Sequence, residues 1–142
     1  MRKTVAALLL VSALFSCKKT ETTNEPTCAV NATTIAGTYK LEGLKYQASS
    51  TATVEDQFAT MAACQKDDTY AFEADGTIVV NDAGVSCGIP PAPADGWSLD
   101  NGNLRLGESV FMIESFNCTK LVCYRSDVNV LGDKETRTYV KQ

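Results

Sequence analysis

Asp68-Thr69-Tyr70-Ala71-Phe72-Glu73-Ala74-Asp75-Gly76-Thr77-Ile78-Val79-Val80-Asn81-Asp82 is the stretch on which the fold turns. Tyr70 and Phe72 before Ala74-Asp75-Gly76, and Ile78 and Val80 after it, recur at every second position, the period of strands with one buried face. Asp-Gly between two such runs signals a hairpin, because Gly76 accepts the positive φ that a tight reversal needs. Two antiparallel strands, 68–73 and 77–82, are therefore expected.

The same grammar repeats downstream. Asp82 to Asp95 holds Gly84, Gly88, Pro90, Pro91 and Pro93 and cannot supply a regular ladder of amide donors, so a long irregular loop follows the hairpin. Trp97 to Leu99 and Leu104 to Leu106 flank Asp100-Asn101-Gly102-Asn103, a second hairpin turn. Val110 to Phe116 and Lys120 to Arg125 flank Asn117-Cys118-Thr119, a third. Thr136 to Lys141 supplies a last strand beyond the turn at Gly132-Asp133. Upstream, Gly37 to Gln47 opens with the β-friendly run Thr38-Tyr39-Lys40-Leu41. Thr53 to Ala62 reads differently: Thr53 and Asp56 approximate a capping box, and Val54, Phe58 and Met61 share one helical face.

Eight strands, nearly all joined by hairpin-type turns, run antiparallel, and eight is a number at which a sheet closes on itself. The expected fold is all-β: an eight-stranded antiparallel up-and-down barrel with one short helix after the first strand. An open two-sheet sandwich is the alternative that strand counting leaves standing. Alternation assigns Tyr39, Leu41, Tyr70, Phe72, Ile78, Val80, Trp97, Leu99, Leu104, Leu106, Ile113, Leu121 and Cys123 to the interior.

The N-terminus reads as an address. Arg2 and Lys3 precede an apolar run of 11 residues, Val5 to Phe15, well short of the ~20 that cross a bilayer as a helix. The run ends in Leu14-Phe15-Ser16-Cys17, which resembles a bacterial lipobox, and the Cys17-Lys18-Lys19 that follows looks like the lipoproteins of Bacteroidetes-type bacteria. Residues 1–16 are expected to be a signal peptide, with Cys17 as the lipidated residue. Residues 17–32, polar and nearly without large apolar side chains, are expected to form a flexible tether. The barrel then occupies 33–142.

Removing Arg2 and Lys3 lowers the basic count from 13 to 11 against 17 acidic residues, a balance that argues against nucleic acid as a partner. Histidine is absent, which excludes Ser-His and Cys-His hydrolases and His-bound zinc. Asp67-Asp68 is read as a solvated strand start, since adjacent strand residues point to opposite faces. Asp100 to Asn103 lacks the remaining ligands of a calcium loop. The sequons at Asn31 and Asn117 are expected to carry no sugar, as in a bacterial lipoprotein.

Cysteines stand at 17, 28, 64, 87, 118 and 123. With Cys17 lipidated, five remain, and an exported domain uses them as two disulfides and one thiol. No spacing gives CxxC, so a metal site is not expected. Cys64 and Cys87 bracket the first hairpin, and a bridge would pin its open ends. Cys28 then ties the N-terminal segment to Cys118 or Cys123; Cys28–Cys118 is the pairing carried forward.

Gly37-Thr38-Tyr39, Cys64-Gln65-Lys66-Asp67-Asp68-Thr69-Tyr70-Ala71-Phe72, Asp75-Gly76-Thr77, Cys87, Trp97 and Lys120-Leu121-Val122-Cys123-Tyr124 together resemble the lipocalin-like domain of small bacterial lipoproteins, over roughly 34–141. The resemblance implies an up-and-down barrel with Cys64 and Cys87 bridged. Tyr39 stands where the wider lipocalins carry a Trp on the barrel floor, and an arginine of a late strand, Arg125 or Arg137, would stack on it. Apart from that role, both arginines are read as exposed strand positions.

The function expected from this reading is that of a membrane-anchored barrel holding a small hydrophobic or amphipathic ligand. Tyr70, Trp97 and Tyr139 are the aromatics expected to line the site, although packing is the commoner role of such residues. A filled barrel with a structural or interaction role, meeting a partner through Val85 to Gly96, is the alternative. Neither a catalytic residue, a cofactor nor a bound metal is expected. The protein is expected to be a monomer lipid-anchored in the bacterial cell envelope, at the outer membrane.

Overall fold

The structure, a computed structural model, describes residues 27–88 and 96–142. Cys17, the leader and most of the expected tether lie outside the described residues, as do Pro90, Pro91 and Pro93. Along the chain come α1 (Ala32–Ile35), β1 (Gly37–Gln47), β2 (Glu55–Asp56), α2 (Gln57–Thr60), α3 (Ala63–Lys66), β3 (Thr69–Phe72), β4 (Ile78–Asn81), β5 (Trp97–Asp100), β6 (Asn103–Leu106), β7 (Ser109–Phe116), β8 (Lys120–Ser126) and β9 (Lys134–Lys141).

Apart from the two-residue β2, which pairs with β1, the strands form one antiparallel sheet in the order β4-β3-β1-β9-β8-β7-β6-β5. The first long strand therefore lies against the last, from Tyr39 opposite Lys141 to Gln47 opposite Lys134. That pairing curls the sheet into a nearly closed eight-stranded barrel. The remaining opening falls between β4 and β5, the two strands that the Pro-rich segment separates in the chain.

Each expected hairpin forms for the reason its residues suggest. Phe72 pairs with Ile78 across the first turn, where Gly76 has φ +90° and the Asp75 carboxylate accepts the Thr77 amide hydrogen at 2.9 Å. Asp100 pairs with Asn103 across a two-residue turn whose Asn101 and Gly102 both have positive φ, the type I′ pattern. In the third, the Asn117 side chain accepts the amides of Thr119 and Lys120; this sequon residue thus organises a turn.

Tyr39, Leu41, Phe72, Ile78, Trp97, Leu104, Leu121 and Cys123 are buried, and Tyr70, Val80, Leu99, Leu106 and Ile113 pack against them. Ile35, Phe111, Phe116 and Tyr139 complete the buried set. Phe116 escapes strict alternation because the ladder between β7 and β8 shifts register between Ile113 and Ser115. The extra residue of this bulge turns both Ile113 and Phe116 inward. A matching shift between Leu41 and Gly43 in β1 does the same for Leu41 and Leu44.

Two expectations need correction. The single helix over 53–62 is replaced by β2 and the four-residue α2, with a second four-residue helix, α3, following beyond the expected range. Glu55 and Asp56 are drawn into a ladder with Tyr46 and Lys45, so helix begins only at Gln57, where the Asp56 carboxylate caps the Ala59 amide at 3.1 Å. Phe58 and Met61 still reach the core, but Val54 is exposed. The expected tether is also docked over its last residues. The Cys28 amide donates to the Phe116 carbonyl at 2.9 Å, and α1 begins at a capping box formed by Asn31 and Thr34. Fully buried Ile35 follows, its carbonyl accepting the Tyr39 hydroxyl at 2.7 Å.

The seam is closed without a β4–β5 ladder. The Trp97 amide donates to the Gly76 carbonyl at 2.7 Å and its indole N–H to the Glu73 carbonyl at 2.8 Å, while the Gly107 amide, donating to the Gly96 carbonyl at 2.9 Å, extends the β5–β6 ladder up to this point. Gly96, at φ +108°, approaches so closely that a β-carbon there would lie 2.8 Å from the Gly76 carbonyl oxygen. Gly102 also has positive φ, but open space surrounds it. Gly96→Ala should therefore lower stability by about 2–3 kcal/mol and Gly102→Ala by about 1 kcal/mol, measured by urea unfolding followed through Trp97 emission. Equal losses would show that the seam imposes no special constraint.

Candidate functional site

The apolar part of the interior is organised around Phe72. Its ring stacks on Trp97 at 5.7 Å, tilts against Tyr39 at 5.2 Å and meets Tyr139 edge-on at 6.1 Å; Tyr139 in turn meets Tyr70 at 5.7 Å. All three expected ligand-lining aromatics thus belong to one connected cluster, with Tyr70 and Tyr139 together and Trp97 across Phe72. A recess of about 170 Å³ at the seam is lined by Trp97, Gly76, Gly96, Ser98, Arg105 and Gly107. The larger groove, about 490 Å³, is lined by neither Tyr70 nor Trp97. It lies over the outer face of β1, β8 and β9, where Lys45, Lys134, Val122, Thr136 and Thr138 project.

Beyond Tyr139 the interior becomes charged. Arg125 sits in phase with buried Leu121 and Cys123 on β8, and Glu135 and Arg137 in phase with buried Tyr139 on β9, so all three side chains turn inward. Arg125 grips Glu135 with two N–H groups, at 3.2 and 3.1 Å, and donates a third to the Ser109 hydroxyl at 3.3 Å. Arg137 donates to the same carboxylate at 2.7 Å and to the Tyr139 hydroxyl at 3.4 Å. Both guanidinium groups lie over the face of buried Phe111, 5.4 and 4.9 Å from its centre. The Arg125, Glu135 and Arg137 side chains are 28%, 11% and 29% exposed.

This overturns the reading of both arginines as exposed positions, and neither stacks on Tyr39. That ring instead has the Lys141 ammonium 5.5 Å from its centre. The alternation that places Leu121 and Cys123 inside already places Arg125 inside; weighting charge above phase hides it.

The electrostatics follow from the geometry. Burial pushes the Tyr139 hydroxyl up to about 12, so it remains a neutral donor and acceptor. For Glu135, burial works against ionisation, but the Arg125 hydrogen bonds and the charge of Arg137 outweigh it and hold the carboxyl below its ordinary value. Burial likewise opposes the charge of Arg137 and is outweighed by Tyr139 and Glu135, raising its pKa.

The connection between β8 and β9 holds Arg125 and Glu135 opposite each other. Its anchor is Asp133, buried, whose carboxylate accepts the amides of Val128, Asn129 and Val130 at 2.6, 2.9 and 3.1 Å and the Tyr46 hydroxyl at 2.9 Å. Burial would raise the Asp133 pKa, but these hydrogen bonds prevail and lower it to about 2. At the loop's tip Leu131 is 92% exposed.

Cys64 is bridged to Cys87 and Cys28 to Cys118, both with Cα atoms 5.2 Å apart. Cys123 is the free thiol among the described residues, fully buried and pushed up to about 12 by that burial. Asp67 and Asp68 differ from the expected solvated strand start: each has one carboxylate oxygen buried without a hydrogen-bond partner among the described residues, and burial, with Asp82 and Asp67 nearby, raises the Asp68 pKa. Among the described residues no group of three or more His, Cys, Asp or Glu side chains is placed to hold a metal ion. No family model matches the chain, and no curated protein matches it either.

Two outcomes follow. Cys123 should resist iodoacetamide in the native protein and react on unfolding, scored by mass spectrometry; labelling at native-state speed would place the thiol outside the core. Asp133 and Glu135 have folded pKa values below their unfolded ones, so the stability they provide is complete above the unfolded value and falls as pH drops through the folded one. For Asp133 that window runs from 3.8 down to about 2. Melting temperature followed across this range should fall less steeply for Asp133→Asn than for the unmodified protein.

Proposed function

We propose that the protein is a lipid-anchored barrel of the bacterial cell envelope that binds a small amphipathic ligand inside the barrel. The observation that carries this reading is the meeting of Tyr70 and Tyr139 with inward-facing Arg137, an aromatic wall ending in hydrogen-bond donors. Burying charge in a barrel weakens its folding energetics relative to an apolar filling, since desolvation offsets most of the ion-pair attraction. Such a mixed lining suits an amphipathic guest better than it suits a scaffold. The anchor rests on the leader and on Leu14-Phe15-Ser16-Cys17, with export further supported by two disulfides.

A second reading, a filled barrel with a structural or interaction role, has its own support. Trp97, Phe72, Tyr39 and Tyr139 pack on one another, and the larger groove lies on the outer face. No catalytic role is proposed.

Native mass spectrometry of the protein released from its own envelope tests both readings together. The expected mass is the chain from Cys17 with acyl groups, less four hydrogens for two disulfides, plus a retained small molecule. A mass without acyl groups would remove the anchor; an anchored protein consistently free of ligand, even after incubation with envelope lipid extract, would favour the filled barrel.

A further inference from the structure

The groove on the outer face of the barrel reverses the charge of the chain around it. Acidic residues outnumber basic ones 17 to 13 in the sequence, but the groove is lined by three lysines, Lys45, Lys120 and Lys134, and one glutamate, Glu114. Its floor is β9, where Thr136 and Thr138 alternate with inward-facing Glu135 and Arg137 and so point outward. Lys45 stands opposite Thr136 on the β1 side. On the β8 side the Lys134 ammonium lies 4.0 Å from the centre of the Tyr124 ring and 3.5 Å from the Glu114 carboxylate, contacts that hold it in place. Cations therefore flank the threonine hydroxyls from both banks, and Lys45 has no hydrogen bond or ion pair among the described residues. Gly43, opposite Thr138, adds no side chain to the floor; a β-carbon there would lie 3.2 Å from the Thr138 side chain. At about 490 Å³ the groove falls in the ~300–1,000 Å³ range of small-molecule sites and holds more than a bare ion.

We infer that this groove binds a phosphorylated polyhydroxylated ring, a sugar or cyclitol phosphate, with the phosphate between Lys45 and Lys134 over the Thr136 hydroxyl and the ring toward Thr138. Lysine ammonium groups act as compact point charges, which suits a tetrahedral phosphate. The planar fork that favours a carboxylate belongs to arginine, and among the described residues no arginine lines the groove. A threonine hydroxyl both donates and accepts, as the hydroxyls of such a ring require. Val54 and Val122 supply apolar surface for its carbon face. Phosphates of this kind occur free and as lipid headgroups, and the chemistry that recognises them is the same. The groove lies outside the barrel, so the inference is independent of what the interior holds.

The test uses the full-length chain bearing Cys17→Ser, which has no thiol there to acylate, in low-salt buffer at neutral pH. Inositol monophosphate and inositol are titrated calorimetrically, and co-sedimentation is measured with vesicles of phosphatidylcholine with and without phosphatidylinositol. Inositol monophosphate should bind about tenfold more tightly than inositol, the difference of one charge-assisted hydrogen bond. Lys45→Gln should remove that advantage, and Lys40→Gln, which takes the same charge from β1 outside the groove, should leave it unchanged. Lys45 is exposed, so its replacement tests recognition and not folding. Binding of phosphatidylinositol vesicles alone, lost in Lys45→Gln and kept in Lys40→Gln, supports the phosphate site and assigns it a lipid headgroup. Equal affinity for the two soluble probes, equal losses in the two lysine variants, or binding of neither inositol monophosphate nor the vesicles overturns the site, whatever the barrel interior is found to hold.

Discussion

Everything in this barrel depends on β1 lying against β9. These strands are far apart in the chain, and joining them closes a long loop at an entropic cost that local hairpins do not meet. The ladder from Tyr39–Lys141 to Gln47–Lys134 repays it by bringing the inner faces of all the hairpins onto one axis. Phe72 from the first hairpin then meets Trp97 from the second and Tyr139 from the last strand. Without that pairing each hairpin would present its apolar face to water, and few short two-stranded units are stable alone.

Two cross-links secure what the ladder leaves loose. The Cys28–Cys118 bridge spans 90 residues and holds the segment before α1 to the β7–β8 turn, where Ile35 enters the core. The Cys64–Cys87 bridge spans 23 and ties α3 to the chain beyond β4. In the chain-entropy account such loops contribute about 3–5 kcal/mol each. At the seam, where backbone pairing between β4 and β5 is missing, one tryptophan and two glycines take its place. Trp97 docks on the β3–β4 turn because Gly76 and Gly96 let two backbones come closer than any side chain would permit.

The interior is divided rather than uniform. Around Phe72 it is aromatic; around Glu135 it is ionic, with Phe111 beneath both guanidinium groups. The ionic part is held from behind by Asp133, which satisfies three loop amides and keeps β8 and β9 in the register that sets Arg125 opposite Glu135. Support of this kind fixes the geometry of the two guanidinium groups, which would otherwise be free to swing.

Local chemistry made much of the molecule legible from sequence. Asp75-Gly76 and Asn101-Gly102 dictate reversals because only certain residues take positive φ, and period-2 alternation identified most of the core between Tyr39 and Cys123, since a strand has only two faces, though it passed over Phe111 and Phe116. The Cys64–Cys87 bridge followed from the hairpin it brackets. Tertiary structure alone decided matters that depend on distant partners. The first turn of the expected helix at Thr53 became strand because β1 offered Glu55 and Asp56 a ladder; Phe116 turned inward because a bulge shifted the phase; and Cys118, not Cys123, met Cys28 because the Cys123 thiol is buried in the core. Arg125 and Arg137 show the boundary between the two kinds of information. Their phase along the strands was readable, but that charge would be tolerated inside depended on the β8–β9 pairing, which sets Glu135 opposite Arg125 while Arg137 shares the same carboxylate from two residues along β9.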